Sequence, residues 1–259
     1  MDKLSISGLL IAIFAIGFGY WFEGGLLLSL VNYSALLIVI GGTLGAVMLQ
    51  SPAGIFLQGI KMFTWIIIPP SYPVDKGISQ IKSWSNKARQ DGYLSLENEA
   101  LNSKDYFVSK GLNMMIDGVA PEQFRETMEV ELILHREALI KSSKIYEAMG
   151  GYSPTIGILG AVLGLIQAMN FIKEPELLGA GIATAFVATI YGVGFANLLF
   201  LPVANKLKYI VEEQMMYHEL LAEGMLSILQ GESPSNIELK LSAYQTQKHY
   251  SQVNTIIKS

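Results

Sequence analysis

Four stretches of this chain carry no charged side chain, and they decide what it can fold into: residues 4–22 (LSISGLLIAIFAIGFGYWF), 34–50 (SALLIVIGGTLGAVMLQ), 152–172 (YSPTIGILGAVLGLIQAMNFI) and 177–203 (LLGAGIATAFVATIYGVGFANLLFLPV). A helix rises about 1.5 Å per residue, so roughly 20 residues cross a hydrocarbon layer about 30 Å thick. The second run is short but extends backward through Leu30 and Val31. The expectation is an all-α integral membrane protein with four transmembrane helices. Composition agrees, with 51% hydrophobic and 15% charged residues, against roughly 25% charged in soluble domains. Lys3 ahead of an apolar run also fits a signal peptide, but no small-x-small cleavage site follows, and Tyr20, Trp21 and Phe22 suit an interfacial belt. The absence of cysteine excludes a disulfide scaffold, and a net charge of −4 without a basic run disfavours nucleic acid.

The charges that remain lie mostly between residues 61 and 147 and beyond 203, which divides the chain into a first hairpin (1–50), a middle domain (51–150), a second hairpin (151–203) and a tail (204–259). Short connections around Glu23 and through Lys173, Glu174, Pro175 and Glu176 make the spans of each pair antiparallel neighbours. Eleven Lys and Arg lie between Gln50 and Gly150 and five follow Val203, against only Lys173 in the two span connections. The positive-inside rule then puts both termini, the middle domain and the tail in the cytoplasm. Residues 55–70, broken by Lys61 and ended by Pro69 and Pro70, read as an interfacial helix.

Val74, Ile78, Ile81, Trp84 and Ala88 mark an amphipathic helix that Asp91 and Gly92 end. A short helix starting near Tyr93 or Leu94 places Arg89 and Glu97 on either side of a tight turn. Further helices are predicted at about 104–117 and 122–149, the latter striped by Phe124, Met128, Leu132, His135, Leu139, Tyr146 and Met149. The tail carries a similar stripe from Asn205 until Gly231 and Pro234, and both long helices abut spans three and four without a linker. The polar stretch from Gln245 to Ser259 is expected to be loosely ordered.

No hydrolase, metalloprotease, nucleotide-binding or CxxC signature occurs, and His135, His218 and His249 are scattered, so no enzyme, cofactor or metal site is expected. None of the four spans holds an Asp, Glu, Lys, Arg or His. Such residues cost roughly 2.5–3.5 kcal/mol at a span centre and mark ion pathways. If this chain serves ion flow, a partner must bring the ionisable group. In span three Gly157, Gly160 and Gly164, beside Ala161, give the close-packing spacing of a subunit contact or of packing within the bundle. Span two repeats the spacing at Gly41 and Gly45. Pro154 and Pro202 lie at span ends, as flexible joints or simple helix boundaries. Thr155, Thr184, Thr189, Tyr191 and Asn197 are the other polar groups of spans three and four, where a hydroxyl bonds its own helix or lines a wet path.

The order of two spans, a helical domain of about 100 residues, two spans and a charged tail resembles the flagellar motor stator A subunits, the MotA/PomA family. GYSPTIGILGAVLGLIQAM from Gly151 is similar to that family's third span, AFVATIYGVGFANLLFLPVANKL from Ala185 to its fourth, and ARQDGYLSLENE from Ala88 to its rotor-facing stretch. The combination of LVNYSALLIVIGGTLGA near the start and IYGVGFANLLFLPVANKL looks closest to the MotC branch. The resemblance implies a subunit of the bacterial inner membrane that forms a pentamer around a dimer of a MotB-type B subunit, whose single span carries the ion-binding aspartate. It also implies a rotor switch-complex protein as partner, touched by Arg89 and Glu97, and a coupling role for Pro154 and Pro202.

Departures from the family pattern bear on the ion. Sodium-type members carry threonine where this chain has Ala161, and two threonines where it has Ala188 and Thr189. A hard cation wants several oxygen ligands, so the missing hydroxyls point to protons. Some sodium-type members also have a second basic residue where Gln90 stands. A sodium-driven stator and an ExbB/TolQ-type energiser of envelope transport are the related alternatives; a membrane scaffold without ion flow is the unrelated one. The first hairpin and the Arg89 to Glu97 stretch argue against the energiser, which usually has three spans.

Overall fold

A computed structural model describes residues 3–257, with side chains described over 4–174 and 178–245. The chain runs as α1 (Lys3–Phe22), a 3-10 turn (Leu27–Leu30), α2 (Tyr33–Gln50), α3 (Ala53–Met62), α4 (Thr64–Ile67), α5 (Val74–Asp91), a second 3-10 turn (Tyr93–Leu96), α6 (Glu97–Asn102), α7 (Tyr106–Ile116), α8 (Pro121–Asn170), α9 (Pro175–Phe195), a π-helical segment (Ala196–Phe200), α10 (Leu201–Leu229) and α11 (Pro234–Ile257). Among the described residues, four helical stretches are long and apolar enough to cross a membrane, Leu4–Phe22, Leu27–Gln50, Pro121–Asn170 and Leu178–Leu229, and they take in nearly all of the four uncharged runs.

The local causes of these boundaries are visible in the sequence. Asn32 caps α2 by accepting a bond from the Ala35 N–H at 2.9 Å. Ser51, extended because Pro52 follows it, ends that helix. Gly92 and Gly231 adopt positive φ at the ends of α5 and α10, a conformation open to glycine without a Cβ clash. Helix α8 joins the predicted 122–149 helix to span three without a break, whereas the fourth span reaches α10 through the π-helical segment. Helix α11 continues to Ile257, because nothing after Pro234 is a glycine or a second proline that would break it.

Packing divides the chain into two units, residues 1–70 with 138–210 and residues 71–137 with 211–259. In the first, α2 and α9 meet through buried Ala35, Val39, Val187 and Ala188. Helix α3 presses Gly59 onto α8, where the buried Tyr146 hydroxyl donates to the Gly59 carbonyl at 3.1 Å. The stretch expected to form one interfacial helix is divided into α3 and α4, and Leu57, Ile60 and, just past α4, Ile68 are exposed. Helix α1 buries no side chain against the rest of the unit, and a groove of about 820 Å³ beside it is lined by Phe14, Phe18, Tyr191 and Phe195 among others. So open an apolar surface belongs in lipid or against another chain.

The second unit is an ordinary water-type core. Ile78, Ile81 and Trp84 of α5 bury against Leu112 and Met115 of α7, Phe124 and Met128 of α8 and Leu221 and Met225 of α10. Each fully buried side chain of this size contributes about 1.5–3 kcal/mol. Gly224 permits the approach of α5, since a Cβ there would lie 2.7 Å from Ile81.

Candidate functional site

The seam between α8 and α9 is made by small residues. A Cβ on Gly157 would lie 2.9 Å from the Ala188 carbonyl, one on Gly160 2.9 Å from the Ala188 Cβ, and one on Gly164 2.8 Å from the Ala185 N. Across the seam, a Cβ on Gly192 would meet the Ser153 carbonyl at 2.7 Å, and the Ser153 hydroxyl already donates to the Gly192 carbonyl at 3.0 Å. The three glycines of span three therefore serve contact between the chain's own helices. Gly41 and Gly45 differ: a Cβ on either would meet nothing within 4 Å.

Polar groups on α9 fasten the first hairpin to the second. The Tyr191 hydroxyl donates to the Leu30 carbonyl at 2.6 Å and accepts from the Asn32 N–H at 3.2 Å. The Asn32 amide donates to Thr184 Oγ1 at 2.8 Å, and that hydroxyl donates onward to Ala180 O at 3.0 Å. Asn32 thus caps α2 and ties it to α9. Sequence reasoning singled out Tyr191 and Thr184 but missed Asn32, for which the available signal was its place as an N-cap just before an apolar run. The Thr189 hydroxyl bonds back to Ala185 O at 3.3 Å. Ala188 is fully buried and Ala161, next to Gly160, is half-buried. Side-chain oxygen is thus absent at Ala161 and Ala188, and the one at Thr189 is engaged within its helix.

Pro154 lies inside α8, half-buried. Having no N–H, it leaves the Gly150 carbonyl without its helical donor. Pro202 is exposed and lies in the first turn of α10, one residue beyond the π-helical segment. Its ring crowds the carbonyl of Leu198 inside that segment, and a widened turn relieves the crowding. The two proline sites meet, because the Leu201 side chain packs where Gly150 has no Cβ; a Cβ there would be 2.5 Å from Leu201 Cδ2.

In the second unit Arg89 and Glu97 are both exposed, on the last turn of α5 and the first residue of α6. The structure does not pair them. Arg89 Nη2 donates to the Gly231 carbonyl at 2.8 Å, just past the end of α10 where a cation suits the helix dipole. Beside them Lys87 and Glu99 form an ion pair at 2.5 Å. The Gly231 contact is 142 residues away in sequence and left no local signal. Glu97 presents its carboxylate to solvent at the start of a helix.

Comparison with known proteins places these features in context. Residues 99–220 match the model of the MotA/TolQ/ExbB proton channel family. The chain is 34% identical over 245 residues to Motility protein A of Bacillus subtilis, covering 94% of this chain and 91% of that protein. Two solved structures share its fold: that of C. jejuni MotAB (TM-score 0.87, 29% identity, 94% of this chain and 96% of that one) and the flagellar MotAB stator complex from Bacillus subtilis (TM-score 0.82, 32% identity, 97% and 99%).

Proposed function

The chain belongs to the MotA/TolQ/ExbB proton channel family, and from that membership we propose that it is the A-type subunit of a flagellar motor stator, working with a MotB-type subunit to turn ion flow into torque. The observation that carries this reading is the extent of the likeness: a chain of the C. jejuni MotAB structure covers 94% of this chain at a TM-score of 0.87. Envelope-transport energisers of the usual three-span form lack a counterpart to the first hairpin.

The spans hold no Asp, Glu, Lys, Arg or His, so the proton-binding carboxylate belongs to the partner. This chain supplies walls, a tight α8–α9 hairpin and the open apolar surfaces beside α1 for neighbouring chains. Five copies around a dimer of the B subunit suit such a hairpin. Protons are the coupling ion, supported by the missing oxygens at Ala161 and Ala188 and the self-bonded Thr189. One charge crossing gains about 2.3 kcal/mol per 100 mV, so rotation draws on many successive ions. The joined sites of Pro154 and Pro202 are the coupling point, since each withholds a backbone bond where the helices touch. Arg89 and Glu97 meet the rotor's switch complex, on the cytoplasmic side together with both termini. Deleting the gene from a strain with no other stator should leave cells flagellated and non-swimming, restored by the gene in trans. Normal swimming after deletion would remove the stator reading.

A further inference from the structure

The second unit contains a titratable cluster that torque generation does not call upon. His218 of α10 is almost wholly buried, 2% exposed at its side chain, and stacks on Phe107 at 4.7 Å. Its Nε2 lies 2.8 Å from Asp105 Oδ2, while Asp105 Oδ1 accepts the Phe107 N–H at 2.9 Å and so caps α7. The ring of His135, on α8, is 5.9 Å from that of His218. His135 Nε2 lies 3.4 Å from Gln214 Nε2, and the buried Gln214 Oε1 has no partner.

With the Gln214 amide in the orientation assigned to it, the contact fits one protonation state. With the Gln214 amide nitrogen as donor, His135 Nε2 must be the acceptor, so the imidazole is neutral with its proton on Nδ1. An imidazolium would set donor against donor. Turning the amide over answers this, because the unpartnered Oε1 then faces the new N–H. We propose that His135 and Gln214 form a proton-responsive contact, in which proton uptake by the imidazole reverses the amide and weakens the seam shared by α7, α8 and α10.

The surrounding charges fix the direction. Burial, and then the like charge of His218, hold His135 below its ordinary value against the pull of Asp105 and Glu131. Glu131 is engaged with Lys110 at 2.5 Å, and Asp105 with His218 and the start of α7. Burial pushes the Asp105 carboxyl up, but the bond and charge of His218 and the N–H groups of Phe107 and Val108 outweigh it, leaving it lowered. Lys104 lines a pocket together with His135, Gln214 and His218. Burial and then Asp105 raise Tyr72 to about 12 and also raise Tyr217, so both phenols stay neutral throughout. An imidazolium at His135 therefore competes with His218 for the carboxylate that caps α7. The fold favours neutral His135, so its stabilisation is complete above the unfolded value of about 6.5 and is lost as pH falls through the lower folded value. The contact concerns the packing of this unit and does not depend on the stator reading.

The test uses the full-length chain in lipid nanodiscs. Hydrogen exchange, corrected for intrinsic rates, should show residues 104–116 and 211–221 losing protection on acidification from pH 7.5 to 5.5, by up to about tenfold per unit of pKa depression. His135→Phe should make that protection independent of pH. Gln214→Leu, which withholds the acceptor from the imidazolium, should move the transition to lower pH. Histidine-ring NMR of the unaltered protein decides the matter even where a variant fails to fold: His135 should be the Nδ1–H tautomer at pH 7.5. An Nε2–H tautomer, an unshifted transition in Gln214→Leu, or the same pH response in His135→Phe would overturn the proposal.

Discussion

Gly192→Ala and Gly45→Ala make the same chemical change on two spans, and the structure assigns them opposite outcomes. A Cβ at Gly192 would stand 2.7 Å from the Ser153 carbonyl and 2.9 Å from Gly157 Cα, both backbone atoms that cannot rotate away. Relief requires α8 and α9 to part by several tenths of an ångström, which also stretches the Ser153–Gly192 bond of 3.0 Å. Overpacking of this kind costs about 1–3 kcal/mol, offset by up to about 1 kcal/mol from the better helix propensity of alanine. From the middle of that range, about 2 kcal/mol, the net loss is about 1–2 kcal/mol, which corresponds to a melting temperature lower by roughly 2–8 °C for a chain of this size. At Gly45 the added methyl meets nothing within 4 Å, so the chain itself should melt unchanged or slightly higher. Thermal unfolding of each purified full-length variant in detergent reads the contrast. Equal melting temperatures for Gly192→Ala and the unaltered protein, or a fall for Gly45→Ala that matches Gly192→Ala, would refute the assignment of the α8–α9 seam to packing within the chain.

Tyr191→Phe should lower stability by about 1–3 kcal/mol, because the Leu30 carbonyl and Asn32 N–H both lose their partner; an unchanged melting temperature would show that this tie carries no load. Glu97→Lys should impair swimming at unchanged membrane levels. Arg89→Glu should impair it too and, by breaking the bond to Gly231, also reduce thermal stability; normal swimming in both variants would remove the rotor-contact assignment.

The uncharged runs announced their helices because each must satisfy its backbone inside lipid, which leaves little freedom of fold. The amphipathic stripes of α5 and α10 were equally legible, since Trp84 and Leu221 can face only a core. The ends of α5 and α10 followed from Gly92 and Gly231, whose positive φ suits glycine, whereas the Asn32 cap of α2 went unnoticed. What stayed hidden were contacts between residues distant in sequence. Nothing near Arg89 names Gly231 as its partner, and nothing near Asn32 names Thr184, 152 residues on. The π-helical segment was also illegible: Pro202 announces a disturbance, but whether it becomes a kink or a widened turn depends on Leu201 packing at Gly150. The glycines of span three allowed two readings because spacing shows which residues are small and cannot show which helix comes close.

Proton-driven torque is tested most directly by the swimming speed of a strain that relies on this stator alone, recorded against external sodium at fixed pH and then with a protonophore. Speed indifferent to sodium and abolished by the protonophore is the expected result. Speed that rises with sodium and survives the protonophore would contradict proton coupling.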